Sequence, residues 1–213
     1  MTTEPRTCLL LHGAGMSPPS WQDVVTELGG RPLHAPWLRG LKPTQSGGFD
    51  LDAAVSELLT RLDLDDLERV DLCGVQLGGM VALRMAAQAP AKVGAVVVVD
   101  TPVVPSAAAL RVQRTLMRLM PERAFAASGV TKAKALEAMS AMSGLDLSDD
   151  LGRVTAPVLV VTSQGDRAAV AGAEVLRQRL ASAETVELKG SSPLREQAGP
   201  LARAVTDFLD RSA

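Results

Sequence analysis

The run Val70-Asp71-Leu72-Cys73-Gly74-Val75-Gln76-Leu77-Gly78-Gly79-Met80 constrains this chain more than any other stretch. It starts as an apolar strand, turns at a glycine, and continues at once as an apolar segment of helical length. A short apolar run of this kind suits a strand buried on both faces. Gly74, Gly78 and Gly79 let backbone approach backbone around the turn. A strand passing directly into a helix is the repeating unit of a parallel sheet, because the helix carries the chain back to begin the next strand.

The rest of the chain repeats that unit. Residues 7–11 form a short apolar run that ends in His12-Gly13-Ala14-Gly15. Trp21, Val24, Val25 and Leu28 then recur at helical spacing, with Ser20 placed to cap the helix and Gly29-Gly30 to stop it. Residues 32–36 read as a second strand and 41–48 as a polar, glycine-rich loop. Asp50 or Asp52 opens a helix that keeps Leu51, Val55, Leu58, Leu59 and Leu62 on one face. A helix over 78–88 stops before Pro90, and Val93–Val99 is the strongest strand of all. Residues from about 104 to 147 break the rhythm, with helices near 107–120, 121–127 and 131–143 and no strand. A strand at 157–162, a helix at 168–180, a strand at 184–188 and a helix near 194–210 complete the chain. The expectation is a single α/β domain over 1–213: a mostly parallel six-stranded sheet with helices on both faces and a helical cap at about 104–147. Ligands on such sheets bind at the carboxyl ends of the strands.

Composition narrows the function classes. The 213 residues are 46% hydrophobic, enough for a full core. The net charge is −2, with both signs interspersed and no basic block, so neither nucleic acid nor a membrane is an expected partner. The polar start of the chain shows no signal peptide, and no apolar run approaches the length of a membrane span, so a cytoplasmic location is expected. Cys8 and Cys73 fall in strands at offset positions, which predicts buried free thiols. There is no tyrosine, which argues against a tyrosine acid or an aromatic stacking platform. Abundant arginine and alanine suit a GC-rich bacterial genome. No His/Asp/Glu cluster has metal-ligand spacing, and no glycine motif has a dinucleotide context, so neither metal nor cofactor is expected. Nothing specifies an oligomeric state.

Several stretches together resemble the α/β-hydrolase family over nearly the whole chain. Leu9-Leu10-Leu11-His12-Gly13-Ala14-Gly15 is similar to its apolar strand and H-G oxyanion loop. Ala35-Pro36-Trp37-Leu38-Arg39-Gly40 resembles its A-P-D-x-R-G stretch, with Trp37 in place of the acid. Residues 74–78 resemble the nucleophile elbow, G-x-S-x-G, which lifts a serine above the sheet. Residues 157–161 with Gly165-Asp166 resemble the strand and turn of the triad acid, and Gly190-Ser191-Ser192-Pro193 resembles the G-H-x-P loop of the triad histidine. The resemblance implies the family fold without its first two strands, since only about six residues precede the first strand here. It also implies an oxyanion hole made by the N–H groups of Ala14 and Leu77.

The departures bear on function. Gln76 stands where the family has its serine, and Ser191 where it has its histidine. Serine, histidine and acid act as a unit, so losing two of them removes acyl transfer. Neither His12, in the oxyanion loop, nor His34, in the second strand, replaces the base. Gln76 either plugs a dead site or orients a ligand by hydrogen bonding. Asp166 is either a lone pocket carboxylate able to move a proton or a local cap or partner of Arg167. Met117, Met120, Met139 and Met142 either line an adaptable apolar pocket with Met16 and Trp37 or simply pack the cap. Three readings follow. The first is a non-hydrolytic enzyme of cyclase, isomerase, lyase or decarboxylase type, acting on an apolar, carbonyl-bearing small molecule through the amides of Ala14 and Leu77, with Gln76 orienting the substrate and Asp166 moving a proton. The second is a ligand-binding or interaction module without catalysis. The third is a hydrolase with relocated residues, such as a nucleophilic Ser191.

Overall fold

Six strands form one parallel sheet: β1 (Cys8–Leu11), β2 (Leu33–His34), β3 (Val70–Val75), β4 (Val93–Val99), β5 (Val158–Ser163) and β6 (Ala183–Leu188). The computed structural model describes residues 4–164 and 167–212, less the side chains of 126–128, 167 and 168. The strand order is β2-β1-β3-β4-β5-β6, and every neighbouring pair is parallel. The order reverses between β1 and β3, so crossovers run to both sides and helices cover both faces.

Alternation along the strands builds two cores. On one face Leu9, Leu11, Leu72, Val96, Val98 and Val160 pack under helices α2 (Leu51–Leu64), α3 (Leu77–Gln88) and α7 (Arg167–Arg179). On the other, Leu10, Cys73, Val75, Val97, Val99 and Val161 pack under α1 (Gln22–Glu27) and α8 (Ala198–Arg211). A strand buried on both sides has no polar face to show, which explains the unbroken run Val93–Val99. Cys8 and Cys73 lie in the second core as free, buried thiols, offset because Cys73 pairs with Leu10.

Between β4 and β5 come α4 (Ala107–Leu119), a 3-10 stretch (Glu122–Ser128), α5 (Lys132–Met142) and the one-turn α6 (Ser148–Leu151). The four residues of α6 are too few to show a period in sequence. Its Asp150 is buried and pairs with Arg84 at 2.8 Å and Arg153 at 2.6 Å.

Two helix starts contrast. Asp50 caps α2, its Oδ1 accepting the Ala53 N–H at 2.7 Å. Ser20 does not cap α1. Pro18–Trp21 forms a 3-10 turn first, and the Ser20 hydroxyl oxygen accepts the Ser17 N–H at 3.2 Å. Two prolines without N–H groups favour that tight turn at a helix start.

At the amino end of β3, Asp71 is fully buried against Arg6 at 2.8 Å and Arg31 at 3.1 Å. Arg31 continues to Asp210, and Arg6 donates to the Ser212 carbonyl, so this network ties α8 to the sheet. Desolvation raises the Asp71 pKa, against the pull of the two guanidiniums. The cluster lies at the opposite end of β3 from Gln76.

Candidate functional site

The elbow survives without its serine. Gln76 has φ 50° and ψ −112°, the first central conformation of a type II′ turn, which glycine favours. Two backbone bonds hold it there: its N–H donates to the Val99 carbonyl at 2.8 Å, and its carbonyl accepts the Met80 N–H at 3.1 Å. The glycines are explained by close approach. A Cβ on Gly74 would strike the Gly78 carbonyl, one on Gly78 the Leu11 carbonyl, and one on Gly79 the Thr101 side chain. The start of α3 therefore lies directly on β1 and the end of β4.

The loop after β1 is folded on itself, with Gly15 and Met16 both donating to the Gly13 carbonyl at 3.2 Å. His12 braces it from behind. Its Nδ1 bonds the Gly13 carbonyl at 3.1 Å, and its Nε2 accepts the Leu38 N–H at 3.2 Å, which makes Nδ1 the protonated nitrogen. Burial lowers the His12 pKa to about 4, with the Gly13 bond opposing. A buried, neutral imidazole with both nitrogens engaged is a structural part. Among the described residues no hydrogen bond engages the N–H of Ala14 or of Leu77.

A cavity of about 380 Å³ opens above these strand ends, within the usual range for small-molecule sites. Its floor includes Ala14, Gly15, Gln76 and Asp100, and its walls include Met16, Leu110, Leu116, Met117, Met120, Met139 and Met142. Ser106 and Gln113 add polar groups on the α4 side. Gln76 is half-buried, and its Oε1 lies against Gly13, 3.1 Å from where a Cβ there would stand.

The structure thus brings together Ala14, Met16, Gln76 and four cap methionines, which the sequence had named as candidates. Leu77 stands at the first position of α3 beside them. Two candidates fall elsewhere. Ser191 is exposed and outside the cavity wall, because its loop runs over the surface before α8. Trp37 packs edge-on against His12, with ring centroids 5.3 Å apart, in a small cluster with Phe125, Val130 and Ala135. It braces the loop after β1 and does not line the cavity. Asp166 lies outside the described residues. Asp100, directly after β4, was not among the sequence candidates. Asp100 is buried at φ 46°, and its two carboxylate oxygens accept the N–H and hydroxyl of Ser163, both at 2.7 Å. The signal was available, as an acid directly after the most buried strand. Among the described residues no three His, Cys, Asp or Glu side chains are placed to hold a metal ion.

Comparison with known proteins agrees with this geometry. The profile of the alpha/beta hydrolase family matches residues 8–204. A pimeloyl-[acyl-carrier protein] methyl ester esterase of Aromatoleum aromaticum is 36% identical over 94 residues, covering 44% of this chain and only 36% of that protein. The chain therefore matches little more than a third of that relative's length. An enol-lactonase of Burkholderia xenovorans superposes with a TM-score of 0.85 at 20% identity, covering 97% of this chain and 92% of that one. A structure from work on carboxylesterases of Nitrososphaera gargenis superposes at 0.86 with 16% identity, covering 98% and 91%. Elbow, oxyanion loop, parallel sheet and profile agree, and the chain belongs to the α/β-hydrolase family.

Proposed function

We propose that the protein binds an apolar, carbonyl-bearing small molecule in this cavity, for chemistry that forms no acyl-enzyme. The observation that carries the reading is Gln76: a carboxamide in the cavity floor, on an intact elbow, where acyl transfer needs a hydroxyl. An amide nitrogen is not a nucleophile of that kind, and the exposed Ser191 brings no base. The methionine walls accommodate apolar ligands of varied shape. The N–H groups of Ala14 and Leu77 receive the ligand's carbonyl oxygen and stabilise an enolate or oxyanion. Gln76 orients the ligand, and proton transfer falls to a carboxylate, Asp100 at the end of β4 or the sequence candidate Asp166. Cyclisation, isomerisation, a lyase step or decarboxylation would each use that arrangement. The relatives support a carbonyl ligand, being named for a methyl ester and an enol-lactone.

Binding without turnover is the second reading, favoured by the engagement of both Asp100 oxygens with Ser163. One experiment separates the readings. A panel of medium-chain ketones, β-keto acids, lactones and esters is titrated against the wild type and Gln76→Ala by protein NMR, and each mixture is followed by mass spectrometry. Saturable binding weakened roughly tenfold by Gln76→Ala is expected, about 1.4 kcal/mol for one lost hydrogen bond in a dry site. A product isomeric with its substrate, or lacking CO2, assigns an enzyme, and unchanged ligand assigns a binder. Ester hydrolysis above the buffer rate, abolished by Ser191→Ala, would overturn both.

A further inference from the structure

Helix α4 lines the cavity with one side and exposes a second apolar surface with another. Val112, Leu116 and Leu119 fall at i, i+4 and i+7 and are 61%, 59% and 79% exposed. Met120, 44% exposed, follows directly at the end of the helix. Single exposed aliphatic residues are ordinary, but a contiguous stripe marks a contact surface. Beside it stand Arg111 and Arg118, with Arg123 just beyond, and no Asp or Glu occurs between Asp100 and Glu122, while Arg114 lies across the helix from the stripe, half-buried. This patch is strongly positive on a chain whose net charge is −2. Lys132 donates to the Arg118 and Met120 carbonyls at 2.6 and 2.7 Å, fixing the end of α4 and adding a cation. A shallow groove of about 260 Å³ lies between Arg111, Val112, Thr115 and Leu116. Leu116 also lines the main cavity, as does the exposed Met120, so the stripe forms part of its rim.

We propose that this face of α4 docks on an anionic lipid surface, with Val112, Leu116 and Leu119 entering the headgroup–acyl boundary and the arginines meeting lipid phosphates. An aliphatic stripe flanked by arginines is the pattern of a helix lying in a membrane interface. A protein partner would more often be met by aromatic anchors, and α4 has none. Docking in this orientation turns the cavity rim toward the bilayer. The absence of a basic block in the sequence had argued against a membrane partner. Arg111 and Arg118, seven residues apart, make no block along the chain, but two turns of helix put them on one side.

Vesicle co-sedimentation tests this. The folded wild type should bind vesicles of mixed phosphatidylglycerol and phosphatidylcholine at low salt, ignore phosphatidylcholine alone, and be released at about 1 M salt, where the screening length is roughly 3 Å. Each arginine near such a surface contributes roughly fivefold, so Arg111→Gln with Arg118→Gln should weaken binding about 30-fold. Leu119→Asp should weaken it further, with circular dichroism confirming that each variant is folded. No binding by the wild type, or binding indifferent to these changes or to lipid charge, overturns the proposal. A dimer in analytical ultracentrifugation that Leu119→Asp dissolves would assign the face to a second copy instead. Salt-sensitive binding to polyglutamate without vesicle binding would assign it to an acidic protein.

Discussion

Replacing Gln76 by glycine should make the protein more stable and its site useless. Gln76 sits at φ 50° and ψ −112°, within about 10° of a conformation that glycine enters freely. A residue with a side chain held there costs about 1–3 kcal/mol. Glycine returns about 0.5–1 kcal/mol of that through the greater freedom of its unfolded chain. The half-buried side chain also gives up its place against Gly13, a modest loss. The balance is about 1 kcal/mol in favour of Gln76→Gly, or a melting temperature higher by about 2–4 °C for a chain of this size. Scanning calorimetry reads the first effect, and titration with the best ligand from the carbonyl panel reads the second. Gln76→Ala is the control, since it removes the amide while keeping the strain, and should lose binding without gaining stability. A drop in melting temperature for Gln76→Gly, or unchanged ligand affinity, would refute the view that a strained backbone is kept for the sake of this side chain.

Four other perturbations probe the frame of the fold. His12 has a pKa of about 4 against an ordinary 6.5, so the unfolded chain takes up the proton first. Stability should be complete above pH 6.5 and fall by about 3 kcal/mol as pH drops toward 4, a slope that urea titrations should find missing in His12→Asn. Asp71→Ala leaves the Arg6 and Arg31 guanidiniums without their shared carboxylate and should cost about 3–5 kcal/mol in chemical denaturation. Gly78→Ala drives a methyl into the Leu11 carbonyl and should cost about 3 kcal/mol. Gly152→Ala, at an open position with φ −68°, should instead gain about 0.5 kcal/mol by the same assay.

Much of the frame could be read in the chain. The strands were legible because burial on both faces leaves unbroken apolar runs, as at Val93–Val99. The elbow was legible because its tight packing excludes any Cβ at Gly74, Gly78 and Gly79. Short elements with no period were not: β2 is two residues, α6 is four, and the 3-10 turn at Pro18–Trp21 displaced the helix start placed at Ser20. Around the cavity, Gln76 and Ala14 had been singled out by the turns that carry them, and the methionines by the helical segment between β4 and β5. Ser191 and Trp37 were misplaced for one reason. Position relative to a motif says which loop a residue belongs to, but side-chain direction depends on what packs against that loop.

Asp100 and α4 show the same division. The sequence by itself determined that the chain is a parallel sheet with an elbow over it, and that the elbow has lost its hydroxyl. Those properties rest on local apolar periodicity and on residue identity. Only the tertiary structure decided that Asp100 turns into the cavity beside Gln76, held by Ser163 on the neighbouring strand. It alone also decided that α4 carries an aliphatic stripe with Arg111 and Arg118 outward while closing the cavity with its other side. Pocket membership and exposure are sums over contacts between residues far apart in the chain, and no window along the sequence contains them.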